Sequence, residues 1–225
     1  MGAFGGPDII TDGLALAVDA GSTRSYPGSG TTTTSLVSSN IGSLINGVGF
    51  SSDNGGTFTF DGVNDFISFD TTLTFSSANL TSVAWVKLDS YPSQNSTIGF
   101  SPDSGTTGFR LYAVSTASLG VWTRTGVGAG TSAISTSNGI PLNEWVQITF
   151  VLNGTNGKLY KNGTEVLSGT FTQPSALSSA PVWLSRYSGG GYVVDGKTAS
   201  ALLYNRALTA AEVLQNYNAQ KNRFI

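Results

Sequence analysis

The chain has 225 residues, with 11 Lys and Arg against 13 Asp and Glu, which gives a formal net charge of −2. This balance argues against nucleic acid and anionic membranes as partners, and no run of about 18 apolar residues predicts a membrane span. Because the sequence has neither Cys nor His, it excludes disulfides, thiolate or imidazole metal sites and a Ser-His-Asp triad. A charged fraction of 11% and 29 Gly favour short strands joined by tight turns.

The first 13 residues are rich in Gly and contain Pro7. They predict an N-terminal arm that lies outside the core, either frayed or docked on a neighbouring protein. Residues 14–225 carry strand patterns without a Pro- or Gly-rich linker between them. The chain is therefore predicted to be one domain that follows a short arm.

Several strands are predicted before the middle of the chain. Leu14, Leu16 and Val18 alternate with polar or small residues, as side chains on one face of a strand do. Further short apolar runs recur at a spacing of about ten residues, which is typical of a β-sandwich. They contain Phe58 and Phe60, Phe66 to Phe69, Val83 and Trp85, Ile98 to Phe100, Phe109 to Tyr112, and Leu119 to Trp122. Residues 25–40 and 126–139 are predicted to be polar loops.

The clearest strand pattern lies between residues 143 and 169. Its first strand has one apolar face, formed by Val146, Ile148, Phe150 and Leu152. A second strand ends at Asn162-Gly163, a pair that favours the type I′ turn of a two-residue hairpin, and a third strand covers residues 164–167. Two more strands are predicted at 182–185 and 200–204, which brings the total to eleven to thirteen.

One helix is predicted near the C-terminus. Thr209 and Glu212 form the pattern of a capping box, in which each side chain bonds to the other residue's backbone amide. The predicted helix covers residues 210–218. No long amphipathic segment separates the predicted strands, which excludes a parallel βαβ sheet.

A family resemblance is carried by five segments: FTFDGVNDFISF, SVAWVK, NEWVQITFVL, LYKNGTEV and ALLYNRALTAAEV. In order and spacing they resemble the laminin-G-like branch of the concanavalin A-like lectin/glucanase superfamily, over residues 13–218. The resemblance implies an all-β fold, a jelly-roll sandwich of two antiparallel sheets, with the short helix at its C-terminal end. The two ends of the chain resemble virion proteins of tailed bacteriophages.

The carboxylates argue against an enzyme. Glucanases of this superfamily place an acid and a nucleophile about 5 Å apart on alternate positions of one strand. This chain has three Glu, at positions 144, 165 and 212, and no carboxylate pair at i and i+2 within a predicted strand. The chain is therefore predicted to be non-enzymatic.

Calcium is the one cofactor that the resemblance raises, since related domains bind Ca²⁺ through loop oxygens. The candidate ligands are Asp19, Asp61, Asn64, Asp65 and Asp195. The alternative is that Asp61, Asn64 and Asp65 form turns and bond to their own backbone. The sequence favours the alternative, because no D-x-D-x-D-G run is present.

Sugar binding in lectins requires an exposed aromatic ring that stacks on a pyranose, with polar groups for its hydroxyls. The candidate residues are Tyr112, Trp122, Arg124, Tyr187 and Tyr192. Trp122 and Arg124 are predicted to share a face of one strand. The alternative is that the aromatic residues belong to the core, as we expect for Trp85, Trp145 and Trp183, and as could also hold for Trp122.

The resemblance at the ends predicts a non-enzymatic structural protein of a phage virion, displayed as a capsid decoration or a tail appendage. It would be assembled in the host cytoplasm and would contact other virion proteins through residues 1–13 and 218–225. Such a domain could also adhere to host or environmental glycans. The alternative function is a stand-alone carbohydrate-binding lectin domain.

Overall fold

A computed structural model of the chain describes residues 7–75, 79–91, 96–103, 107–113, 118–125, 132–137, 139–171, 177–186 and 193–225. The strands in these residues are β1 Leu14–Asp19, β2 Thr32–Thr34, β3 Ile41–Ile45, β4 Gly49–Ser51, β5 Thr57–Asp61, β6 Phe66–Phe75, β7 Asn79–Leu88, β8 Ser96–Thr97, β9 Phe100–Pro102, β10 Thr107–Ala113, β11 Leu119–Thr125, β12 Ser132–Thr136, β13 Val146–Asn153, β14 Asn156–Lys161, β15 Thr164–Thr170, β16 Leu177–Leu184 and β17 Asp195–Tyr204. Helix α1 covers Ala210–Gln220, and 3₁₀ turns lie at Asp53–Gly55 and Lys221–Arg223.

The strands form two layers. The first layer is an eight-stranded sheet in the order β15-β14-β13-β7-β17-β5-β4, with β1 also paired to β17. The second layer joins a five-stranded sheet, β2-β3-β6-β16-β9, to a four-stranded sheet, β12-β11-β10-β8. An antiparallel bridge between Asp103 and Gly108 places β9 next to β10. This architecture confirms the predicted antiparallel β-sandwich with a short C-terminal helix.

The main core fills the space between the two layers. The predicted apolar face of β13, formed by Val146, Ile148, Phe150 and Leu152, is buried there. Phe109 on β10 packs against Phe150, with their ring centroids 5.7 Å apart. Alternation along each strand thus directs every second side chain into this core.

A second apolar cluster covers the outer face of the first layer. It lies beneath α1 and the N-terminal segment and comprises Ala17, Val83, Val151, Tyr160, Leu202, Tyr204, Leu208 and Val213. The capping box that begins α1 is formed as predicted, since Thr209 accepts from the Glu212 amide and the Glu212 carboxylate accepts from the Thr209 amide. Consequently the first layer is covered on both faces.

The N-terminal segment is bound to its own domain from Asp8 onwards. Buried Asn216 on α1 accepts from the Ile10 amide at 2.8 Å, and the Tyr204 hydroxyl donates to the Ile10 carbonyl at 2.8 Å. Gln215 donates to the Asp8 carbonyl at 2.9 Å. Residues 8–12 of the predicted arm therefore contact α1 and Tyr204 of their own domain, and the arm over residues 1–13 stays a prediction.

The C-terminal tail also folds back onto the first layer. The Phe224 ring stacks on buried Trp85 with centroids 4.2 Å apart, and Gln220 accepts from the Trp85 indole at 3.1 Å. Arg223 forms an ion pair with Asp19 at 2.7 Å and donates to the carbonyls of Asn54 and Gly56. Trp85 is buried, as predicted, but on the outer face of its sheet beneath this tail.

Two polar segments that were predicted to be loops contain strands. β2 lies within residues 25–40 and β12 within residues 126–139. Both consist largely of Ser and Thr, so they carry no apolar alternation, and the pairing with β3 and β11 defines them instead. The described residues therefore hold more strands than the predicted eleven to thirteen.

The turn between β14 and β15 has the predicted form. Asn162 and Gly163 have φ angles of 51° and 77°, as a type I′ turn requires at both central positions. A Cβ atom on Gly163 would lie 3.0 Å from Leu214 of α1, so the helix packs closely over this hairpin. Within the described residues, no helix combines the length and the hydropathy needed to cross a membrane.

Candidate functional site

The outward face of the second layer carries a row of side chains that we call the aromatic row: Trp183, Ser101, Arg110 and Trp122. Trp183 on β16 pairs with Ser101 on β9, and Arg110 on β10 pairs with Trp122 on β11. The Asp103–Gly108 bridge connects these two pairs.

Alternation fixes the direction in which this row points. The residues on either side of it along the strands belong to the main core, including Val182, Leu184, Phe109, Leu111 and Val121. The side chains of the aromatic row therefore face away from the core. Trp183 and Trp122 are both partly exposed.

The length of the row follows from strand spacing. Trp183 and Trp122 are separated by three inter-strand steps, from β16 through β9 and β10 to β11. At about 4.8 Å per step, the backbone positions of Trp183 and Trp122 are about 14 Å apart across the sheet. Next to Trp183 stand Ser68 and Ser101, and the Ser101 hydroxyl donates to the Phe109 carbonyl at 3.1 Å. Ser101 and Arg110 lie between the two Trp residues along the row, and both are buried.

Arg110 is held between two aromatic rings. Its guanidinium carbon lies 5.3 Å from the centroid of Tyr112 and 5.5 Å from that of Trp122, within the range of a cation–π contact. Arg110 is only 8% exposed, so these rings fix its side chain against the sheet. The guanidinium is therefore a fixed and largely buried cation next to the partly exposed indole of Trp122.

Tyr112 lies two residues from Arg110 along β10, on the same face of the strand. It is 7% exposed, and its ring lies against Gly120, where a Cβ atom would come within 2.4 Å of the ring. Burial raises the pKa of Tyr112, an effect that the nearby charge of Arg110 partly offsets. Its hydroxyl therefore stays protonated at neutral pH.

The structure brings together part of the predicted sugar-binding set. Tyr112 and Trp122 meet around Arg110, although Tyr112 is buried where an exposed ring was expected. Arg124 pairs with Gly108 along β11, but its side chain lies outside the described residues, as do Tyr187 and Tyr192.

Three of the four members of the aromatic row, Trp183, Ser101 and Arg110, were not among the predicted site residues. Arg110 alternates with Phe109 and Leu111, a pattern that places it on the face opposite the core. Trp183 and Trp145 were expected in the core, and the core was one alternative for Trp122. All three are partly exposed. The core prediction holds for Trp85 alone.

Three of the predicted calcium ligands surround the turn between β5 and β6. Asp61 pairs with Asp195 of β17, and the Asp65 carboxylate accepts from the Asp61 amide at 3.2 Å. Asp61 accepts from the Val63 amide at 2.8 Å, which is the bond of a turn-forming side chain. Asp195 accepts from the Ser90 hydroxyl at 2.5 Å.

The other calcium candidates are arranged differently. Asn64 supplies its backbone carbonyl to the Asn46 side chain at 3.0 Å, while Asp19 is engaged by Arg223 in a separate region. Asp65 is 3% exposed, and burial raises its pKa. Among the described residues, no group of three or more acidic side chains has the geometry to hold a metal ion, and calcium binding stays a prediction.

The three Glu residues lie away from the aromatic row. Glu165 on β15 forms an exposed ion pair with Lys158 at 2.8 Å, and Glu212 on α1 bonds to Arg206 at 2.7 Å. Glu144 is exposed on the segment before β13. None of them belongs to the four residues of the row.

These features define a two-layer β-sandwich with a polar and aromatic outward face. Residues 60–214 match the laminin-G family described as the concanavalin A-like lectin/glucanases superfamily (Laminin_G_3). The chain belongs to this superfamily, as the five sequence segments predicted. No curated protein matches the chain in sequence.

Solved structures share the fold at low sequence identity. Domain 4 of AbnA, an extracellular GH43 arabinanase from Geobacillus stearothermophilus solved with arabinotriose, has a TM-score of 0.70 and 16% identity, covering 91% of this chain and 98% of that one. The botulinum neurotoxin type G receptor binding domain has a TM-score of 0.68 and 16% identity, covering 92% and 51%. Trypanosoma rangeli sialidase in complex with sialic acid has a TM-score of 0.68 and 16% identity, covering 96% and 34%. The chain thus spans about half of the toxin domain and about a third of the sialidase.

Proposed function

We propose that this chain is a non-catalytic carbohydrate-binding domain that holds an extended oligosaccharide along the aromatic row. The observation that carries the proposal is the placement of two partly exposed Trp residues on one face, about 14 Å apart, with the Arg110 guanidinium fixed against one of them. Indole rings provide flat apolar surfaces for the C–H faces of sugars.

The comparisons support this class of ligand. The arabinanase domain that shares nearly its whole length with this chain was solved with arabinotriose. A face with buried Ser101 and Arg110 between two partly exposed Trp residues suits a linear chain of sugar units better than a single deep-bound monosaccharide. Separation of the two Trp residues by three inter-strand steps also favours an oligosaccharide of several units.

A glycan array tests the proposal, with arabinan fragments and sialylated glycans among its probes. A hit is then titrated by isothermal calorimetry against the wild type, Trp122→Ala and Trp183→Ala. Loss of an anchoring Trp costs at least about 2 kcal/mol at binding sites, so each variant is expected to raise Kd by roughly 30-fold.

Trp145 offers a matched control. It is also a partly exposed Trp, but it lies near Phe224 on the other layer, with ring centroids 5.0 Å apart. Trp145→Phe should leave Kd unchanged. Equal affinities for the wild type, Trp122→Ala and Trp183→Ala would place the sugar elsewhere and overturn the proposal.

Display on a phage particle remains a prediction from the two ends of the sequence, and with it the virion partners and the virion location. Cryo-electron microscopy of particles carrying a gold-labelled copy of the chain tests it. Label at regular positions on the particle supports the prediction, and label on free protein alone contradicts it.

A further inference from the structure

A small cavity lies at the start of β6, where the turns β3–β4, β5–β6 and β16–β17 meet. We call it the arginine basin. Its volume is about 130 Å³, and it is lined by six residues, Asn46, Val63, Asn64, Phe66, Arg186 and Val193. This volume is well below the range of small-ligand pockets, about 300–1,000 Å³, but about ten times what one water molecule needs. The basin therefore has room for one polar group of a ligand and not for a whole ligand.

The basin adjoins the Trp183 end of the aromatic row. Phe66 lies two residues before Ser68 on β6, and Ser68 pairs with Trp183 on β16. Residues two apart on a strand share a face and are about 7 Å apart. The residues between and beyond them, Ile67 and Phe69, belong to the main core. Phe66 and Trp183 thus lie on the same outward face of the second layer.

Arg186 brings an unpaired cation to the basin. Its guanidinium carbon lies 4.2 Å from the centroid of the Phe66 ring, a cation–π contact that holds the group over the ring. The Arg186 Nε atom is buried and has no hydrogen-bond partner. Within the described residues, no carboxylate forms an ion pair with Arg186. Because a buried donor of a charged group is costly to leave unsatisfied, this guanidinium calls for an acceptor from a ligand.

Hydrogen bonds of the three turns hold the walls of the basin in place. The Asn46 side chain donates to the Asn64 carbonyl at 3.0 Å and ties the first turn to the second. The Ser185 hydroxyl accepts from the Val194 amide at 3.2 Å. Ser185 has a φ of 68°, a value that few Ser residues adopt, and it turns the chain directly before Arg186. The basin is thus formed before a ligand arrives, which reduces the entropy cost of binding.

The carboxylates nearest in sequence do not line the basin. Asp61 accepts from the Val63 amide at 2.8 Å. Asp65 is 3% exposed, and a Cβ atom on Gly47 would lie 3.6 Å from its Oδ1 atom. Burial raises the pKa of Asp65, which reduces its tendency to ionise. Arg186 therefore provides the one formal charge among the residues that line the basin.

We propose that the arginine basin binds the carboxylate of an acidic sugar. The Arg186 guanidinium offers its Nε–H and a neighbouring N–H as two parallel donors, an arrangement that matches the two oxygens of a carboxylate. The choice of a sugar rests on the function proposed above, since the basin adjoins Trp183. The choice of a carboxylate rests on Arg186 alone.

Titration of the full chain with methyl β-D-glucuronide tests the proposal, with methyl β-D-glucoside, acetate and inorganic phosphate as comparison probes. The ¹H–¹⁵N NMR signals of the Arg186 Nε–H and of the Val63 and Val193 amides report binding. The glucuronide is expected to shift them saturably at millimolar concentration. The glucoside, which has a hydroxymethyl group in place of the carboxylate, and the two small anions are each expected to bind at least about tenfold more weakly. Equal affinity for acetate or phosphate would overturn the choice of an acidic sugar, and equal affinity for the glucoside, or no saturable shift with the glucuronide, would overturn the whole proposal.

Variants of Arg186 test the guanidinium, with the amide signals of Val63 and Val193 as the readout. Arg186→Met should abolish the saturable shifts with the glucuronide. Arg186→Lys keeps the charge without the two parallel donors and should raise Kd by about three- to tenfold, which corresponds to one lost hydrogen bond. Arg24→Met is the matched control, because Arg24 is exposed and lies outside the basin, and it should leave Kd unchanged.

Val63→Asp tests the same site without changing a packed side chain. Val63 is 70% exposed and lines the basin, so the variant should fold as the wild type does while it adds a negative charge beside the bound carboxylate. It should raise Kd for the glucuronide by at least about threefold. Wild-type Kd in both Arg186→Met and Val63→Asp would place the glucuronide elsewhere and refute the proposal. The aromatic row is tested separately, by the affinities of Trp122→Ala and Trp183→Ala for an oligosaccharide, so the failures of the two proposals are distinguishable.

Discussion

The ion pair that anchors the start of α1 makes stability depend on pH in a defined way. Glu212 accepts from Arg206 at 2.7 and 3.1 Å and from the Thr209 amide at 2.7 Å. The Arg206 hydrogen bond is the main cause that lowers the pKa of Glu212 from 4.5 to about 2. Glu212→Gln removes the charge but keeps an amide oxygen that can complete the capping box.

The size of the effect follows from the shift in pKa. The pKa of Glu212 lies about 2.5 units below its usual value. At about 1.36 kcal/mol per pKa unit, the charged Glu212 can contribute at most about 3.4 kcal/mol to the free energy of unfolding. Both side chains are about a quarter exposed, and Asp12 stays within 2.9 Å of Arg206 as a second partner. Solvent screening and this substitute reduce the expected loss for Glu212→Gln to about 1–2 kcal/mol at pH 7.

The sign is set by the folded-state pKa, which lies below the unfolded one. The stabilisation by Glu212 is therefore complete above about pH 4.5 and is lost as the pH falls to about 2. Urea unfolding curves of the wild type and Glu212→Gln, recorded by Trp fluorescence from pH 2 to pH 7, measure this difference directly. The two proteins should differ at pH 7 and converge near pH 2.

Glu165→Gln is the matched control. Its partner, Lys158, is 46% exposed, and Glu165 is 38% exposed, so the loss should stay below about 0.5 kcal/mol at every pH. A Glu212→Gln difference that is constant from pH 2 to pH 7, or that matches the control, would refute the reasoning.

Three further substitutions test other parts of the structure. Arg223→Met removes the 2.7 Å ion pair that fixes the C-terminal tail and should cost about 2 kcal/mol, or roughly 5 °C in Tm by calorimetry; an unchanged Tm contradicts this role. Phe224→Ala uncovers Trp85, and its fluorescence emission should shift to longer wavelength; a constant maximum speaks against the stacking. Gly120→Ala places a Cβ within 2.4 Å of the Tyr112 ring. It should weaken oligosaccharide binding by about tenfold and cost about 1–3 kcal/mol of stability. Wild-type affinity in this variant would show that the Tyr112 ring does not contribute to the binding site.

The features that could be predicted from sequence are encoded locally. The Asn162-Gly163 turn depends on two residues that tolerate positive φ, and the cap of α1 depends on a pair three positions apart. The predicted helix, 210–218, begins where α1 begins and is two residues shorter. These motifs require no knowledge of distant contacts, which is why both predictions are confirmed.

The features that escaped prediction depend on which element covers a sheet face. Every residue of β7 from Leu80 to Val86 is buried, because the first layer is covered on both sides, so alternation could not indicate that Trp85 lies beneath the tail. Arg110 was missed for a related reason. A charge within an apolar run identifies the outward face, but the ring contacts with Tyr112 and Trp122 require the register between β10 and β11.

The unequal cover of the two layers is the physical basis for assigning the binding face. The outer face of the first layer buries its apolar side chains under α1, residues 8–12 and the tail, and these contacts use the protein's own side chains. On the second layer, Trp122 and Trp183 retain exposed surface although both emerge from the middle of paired strands. Large aromatic side chains are stabilised most by burial, so a sheet that keeps two of them partly exposed on one face has a surface suited to a ligand.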